Sequence, residues 1–122
     1  MYESSPTTTP KIVMANEHGA VCLVLYVPAA RLRVLAGSLD FIKAKALAGG
    51  WSTRHIEGGW VSPDGDCIVE PVHEIEFLVP ADKTAAVSVY LRRVSEALLH
   101  AGEQAVLVAN KGAVQLTTYT LS

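Results

Sequence analysis

A chain of 122 residues, half of them apolar, is long enough for one domain with a full core, and its net charge of −2 with no basic block excludes a surface that tracks a phosphate backbone. Charged residues make up 18%, below the roughly 25% of soluble domains. That deficit points to surface covered by a partner, first of all a second copy of the chain. Cys22 and Cys67 lack paired zinc-type spacing, and no basic-apolar leader opens the sequence, so a reducing cytoplasm is the expected compartment.

Met1 to Pro10 is polar, with three consecutive threonines and two prolines, and reads as a disordered tail ahead of a single domain over residues 11–122. Lys11 to Met14 suggests a short strand and Asn16-Glu17-His18-Gly19 a turn. Ala20 to Val27 is apolar on both faces, as in a central strand covered on both sides. This is the longest unbroken apolar run, and it is too short to cross a bilayer, so no membrane partner is expected.

Pro28 suits the first turn of a helix, and Leu32, Leu35, Leu39, Ile42 and Ala46 form one apolar stripe along a long helix that ends at Gly49-Gly50. Gly37 weakens its middle by roughly 1 kcal/mol. Arg31, Arg33, Lys43 and Lys45 on this helix, and Arg92-Arg93 on the next, read as solvated faces. Trp51 to Val61 and Cys67 to Val79 are extended arms about an Asp64-Gly65 turn. Gly58-Gly59 marks a bulge or a close backbone approach. Pro71 has no N–H for a ladder, so the strand should be bulged or unpaired there, with the hairpin tip projecting beyond the sheet.

Asp82 is a candidate N-cap for a second helix whose buried stripe is Val87, Tyr90, Leu91, Val94, Leu98 and Ala101, closed by Gly102. Gln104 to Ala109 and Ala113 to Tyr119 read as two strands about an Asn110-Lys111-Gly112 turn. The order of elements is that of a ferredoxin-like α+β sandwich: an antiparallel sheet, two helices on one face, a projecting β2-β3 hairpin, and an open second face for association or ligand.

Chemistry, if present, should concentrate on the hairpin. Alternation after Pro71 sends His73, Ile75, Phe77 and Val79 to one face and Val72, Glu74, Glu76 and Leu78 to the other. The apolar set should meet the helices, leaving Glu74 and Glu76 on the open face with Glu70 nearby. On the preceding arm Trp51, Thr53, His55 and Glu57 share a face, and Arg54, Ile56 and Trp60 the opposite one; pairing register decides which set joins the carboxylates. As a catalytic group, Glu70, Glu74, Glu76 and His55 would act by mutually raised carboxyl pKa values. As a structural group, the glutamates pair with Arg54 or with a partner's lysines. Trp60 and Trp51 are candidate interface residues, with Glu70 and His73 beside them. No spacing marks a metal site and no motif a cofactor: there is no phosphate-cradling loop and no nucleophile elbow.

Gly58-Gly59-Trp60, Ile68-Val69-Glu70-Pro71, the aliphatic strand to Val79-Pro80 and Glu103-Gln104-Ala105-Val106-Leu107 resemble the domain of unknown function 3574 family of small bacterial proteins, over the second half of the chain. Val72-His73 stands where that family has a polar-basic pair. The resemblance implies the same fold and draws attention to Trp60 and Glu70; it carries no reaction. The functional expectation is a small, non-catalytic binding or protein-interaction protein of a bacterium or its mobile elements, a homo-oligomer and most simply a dimer. The alternative is a cofactor-free isomerase, lyase or monooxygenase-like enzyme working on the open face.

Overall fold

The structure, a computed structural model, describes residues 12–103 and 105–121. The expected tail, Met1 to Pro10, lies outside them. The elements are β1 (Ile12–Pro28), α1 (Leu32–Ala36), α2 (Leu39–Leu47), β2 (Gly50–Val61), β3 (Cys67–Pro80), α3 (Thr84–His100) and β4 (Leu107–Leu121), with single 3-10 turns at Ala29–Arg31 and Ala81–Lys83. The strands form one sheet in the order β2-β3-β1-β4, antiparallel at every ladder. This is the ferredoxin-like α+β plan that the element order implies.

The core lies between the sheet and the helices. Leu23, Leu25 and Val27 of β1 and Ile75, Phe77 and Val79 of β3 meet Leu35, Phe41 and Ala44, and Val87, Leu91, Val94 and Leu98 of α3. Both strand sets are alternate residues, so period-two alternation selects one face and the period of α3 supplies the matching stripe. Phe41 stands edge-on to Phe77, centroids 6.1 Å apart, the arrangement that ring quadrupoles favour.

Four expectations change. The single long first helix is two helices, broken at Gly37-Ser38. The Ser38 hydroxyl accepts from the Phe41 N–H at 3.2 Å and starts α2 afresh. The break resets the helical phase, so Phe41 and Ala44 are buried while Leu39, Ile42 and Ala46 are exposed. Asp82 is not an N-cap: it sits in the 3-10 turn before α3, which starts after Lys83 without a side-chain cap.

The expected turn at Asn16–Gly19 is strand, continuous with its neighbours in β1 and paired with Gln115–Thr118. The expected hairpin at Asn110-Lys111-Gly112 is a bulge within one long β4. Asn110 pairs with Leu23 and Gly112 with Cys22, leaving Lys111 unopposed. Gly112 takes φ +93° and donates its N–H to Asn110 Oδ1 at 2.8 Å, a local bond that fixes the kink. The extra residue switches parity, so Leu107 and Ala109 before the bulge, and Val114 and Leu116 after it, all lie on the face without helices.

Register makes two ribbons leave the four-stranded body at opposite ends. β1 pairs with β3 only from Ala20 to Pro28. Beyond Ala20, residues 12–19 of β1 continue with β4 alone among the described strands. Beyond Pro28, residues 67–71 of β3 continue with β2 alone. Pro71 is the first residue past the end of the β1 ladder, where no partner on that side requires its N–H. The pairing with β2 runs through Pro71↔Glu57 without a register shift, so the strand is open on one side there and is not bulged.

Candidate functional site

Pairing of Gly58 with Glu70, Ile56 with Val72 and Arg54 with Glu74 settles the register of the hairpin. Arg54, Ile56, Gly58 and Trp60 share the face without helices with Ile68, Glu70, Val72, Glu74 and Glu76. His55 is paired with His73 on the other face, with Trp51 and Thr53. The expected acidic cluster is therefore divided: three carboxylates share a face, and the imidazole proposed to work with them does not.

The face opposite the helices is not bare. Ala20, Cys22, Val24, Val72 and Glu74 are all buried there. Val24 has Glu76 and Ala109 as its ladder neighbours, and Tyr26 has Glu74 and Leu107. Glu74 is the one buried charged residue among the described residues. Arg54 Nη2 donates to its Oε1 at 2.8 Å, and Lys111 Nζ lies 3.8 Å from the same oxygen. The bulge in β4 is what presents Lys111 to β3. Glu74 holds the Arg54 guanidinium above its usual pKa, first by the hydrogen bond and then by its charge. The Cys22 thiol on this face is pushed up by burial and by Glu76, which makes it a poor nucleophile. Glu74 thus belongs to an ion-pair network with Arg54 and Lys111.

On the helix side, the rings of His55 and His73 lie 4.0 Å apart, tilted by 59°. His73 is held below the ordinary histidine pKa by burial and then by His55. Trp51 lies toward α2, with Lys45 Nζ 5.2 Å from its ring centroid, a contact that ties β2 to the helix layer. No group of three or more His, Cys, Asp or Glu side chains capable of holding a metal ion occurs among the described residues.

A cavity of about 710 Å³ opens on the face without helices, where the hairpin arm leaves the sheet. One wall is Ile56, Gly58, Gly59 and Trp60 of β2 with Ile68, Glu70 and Val72 of β3. Tyr26 and Pro28 of β1, Glu103, Ala105 and Val106 between α3 and β4, and Leu107 of β4 complete it. Gly58 is required by space. A Cβ there would come within 2.7 Å of Val72 Cγ2, closer than real side chains approach. The Gly58-Gly59 pair therefore marks a close approach and no bulge. Trp60 and Glu70, singled out in the sequence, both line this cavity. His55 and Glu70 also border a smaller recess of about 350 Å³ along the arm. The missed participants are Tyr26 and the α3–β4 connection. Their sequence signal was only that of strand and loop, and strand order alone brings them opposite the arm.

Comparison with solved structures finds the same fold at low identity. CutA from Synechococcus elongatus is 17% identical with a TM-score of 0.53, covering 84% of this chain and 86% of that one. A Bacillus cereus protein related to NIF3 is 16% identical with a TM-score of 0.52, covering 94% of this chain and 30% of that one. The Staphylococcus aureus protein SA1388 is 12% identical with a TM-score of 0.50, covering 92% of this chain and 27% of that one. This chain thus corresponds to less than a third of the two longer proteins. No protein-family model matches the chain, and no curated protein matches it in sequence.

Proposed function

We propose that this chain is a small, non-catalytic binding protein of the bacterial cytoplasm that associates with a second copy of itself through a sheet edge or the projecting hairpin. The observation that carries the reading is the pair of ribbons. Among the described residues, 12–19 of β1 and 67–71 of β3 each have a strand neighbour on one side only. A strand edge open on one side templates pairing with another chain. Val61 and Val69 on the hairpin arm, and Leu107 and Tyr119 on β4, are exposed large apolar residues at the same margins. The low charge content favours the same conclusion. The division between His55 and the carboxylates weighs against the enzymatic alternative. Among the described residues no helix is long and apolar enough to cross a membrane, which is consistent with a soluble assembly.

Static light scattering at high micromolar concentration tests the reading: an assembly of at least two copies supports it, and a monomer overturns it. Trp60→Ala should weaken assembly more than it lowers the unfolding temperature if the hairpin is the contact. Equal loss of both would assign Trp60 to packing within one copy.

A further inference from the structure

The cavity beside the hairpin arm has a size suited to a small organic molecule, about 710 Å³, within the roughly 300–1,000 Å³ of ligand sites. Its walls are mainly apolar and aromatic, and only two of the lining residues carry charge, Glu70 and Glu103. Glu103 is matched by Arg31, whose Nε lies 3.5 Å from its Oε2. Glu70 is half-buried and has no ion pair among the described residues. The cavity thus has one carboxylate without an ion pair among the described residues, on the arm that also carries Trp60, and Tyr26 of β1 elsewhere in its lining. A cation entering the cavity would meet this carboxylate at the wall, and a ring face attracts positive charge. Gly58, directly across the ladder from Glu70, has no side chain, and Val72 packs over its backbone as part of the apolar wall.

We infer that this cavity binds a small amphipathic cation, an ammonium group on an apolar or aromatic body, with Glu70 pairing the charge and Tyr26, Trp60, Ile56 and Val72 holding the body. The inference deepens the binding-protein reading by naming the ligand class and the site. A neutral ligand would gain only the apolar contacts, and an anion would meet Glu70 as a like charge.

Calorimetric titration of the full chain with three probes of similar shape tests this: 2-phenylethylamine, protonated at neutral pH, neutral 2-phenylethanol, and 3-phenylpropionate. The amine should bind about tenfold tighter than the alcohol, as one charge-assisted contact in a sheltered site allows, and the carboxylate weakest of the three. Glu70→Gln should bring amine and alcohol to similar affinity, Glu70→Asp should keep the preference, and Glu76→Gln, outside the cavity, should leave it intact. Equal affinity for amine and alcohol in the unaltered chain, a preference that survives Glu70→Gln, or no amine binding at about 10 mM would each overturn the inference. Light scattering on the same samples separates the two claims. A chain that assembles but ignores the amine loses this ligand class alone, and a monomer that discriminates as described keeps the site and loses the assembly.

Discussion

The two faces of β3 are built from neighbouring residues and have opposite characters. Ile75, Phe77 and Val79 face the helices and belong to the continuous apolar core. Val72, Glu74 and Glu76 face away from them, where burial is achieved without a second layer and around an ion pair. One face is closed by apolar area, whose stabilisation is non-directional and follows the surface removed from water. The other is closed by directional contacts from Arg54 and Lys111, which depend on register and on a bulge. Burial alone therefore does not identify the layer in which a residue sits: Val24 and Leu25 are both fully buried, on opposite faces.

Phe77→Ala should destabilise the chain by about 3–5 kcal/mol, the usual cost of an aromatic cavity in a core, as read by denaturant unfolding. A change small enough for an exposed site would mean the helix-side core is not the main source of stability. A smaller and asymmetric effect is expected on the other face. Arg54→Met leaves Glu74 buried with only the more distant Lys111, and should lower the unfolding temperature. Glu74→Met removes the charge itself and should be close to neutral or stabilising, since a buried ion pair often contributes less than a packed apolar replacement. If Glu74→Met were the more damaging of the two, the ion pair would be contributing net stability and the contrast between the faces would need revision.

The smallest effect concerns pH. His73 is held below its ordinary pKa in the folded chain, chiefly by burial and then by His55. Its neutral form is therefore favoured by folding. The associated stability is fully present above the unfolded value, about 6.5, and is lost as pH falls below it, where the unfolded chain binds the extra proton. Thermal unfolding followed from neutral pH down to about pH 5 should therefore show a steeper loss for the unaltered chain than for His73→Gln. Identical slopes would place the acid sensitivity elsewhere.

Much of the architecture was legible in the chain. The stripe Val87, Leu91, Val94, Leu98 is long and regular, so its period survives into α3. The alternation of β3 after Pro71 assigned Phe77 and Glu74 to opposite faces, and so they are. The first helix was misread because its stripe was counted across Gly37-Ser38, where a new cap shifts the phase. The Asn110-Lys111-Gly112 turn was misread because the same residues serve a hairpin and a bulge. The parity change from Leu107 and Ala109 to Val114 and Leu116 was the available clue, since it keeps both apolar pairs on one face of a single strand. In the candidate site, Trp60 and Glu70 were found on the hairpin, but His55 was grouped with the carboxylates because a shift of one residue in register reverses its face.

Local chemistry, written in the order of residues, fixes the long, regular segments such as α3 and β3 and which of their side chains lie together. Alternation and helical period act over a few neighbours and need no knowledge of the rest of the chain. Tertiary structure alone decided what each set meets: Arg54 and Lys111 on Glu74, His55 on His73, and Tyr26 and the α3–β4 connection across a cavity from Trp60 and Glu70. Those meetings depend on ladder register and strand order, which join residues distant in sequence, and a single unopposed residue, Lys111, is enough to turn one of them toward its partner.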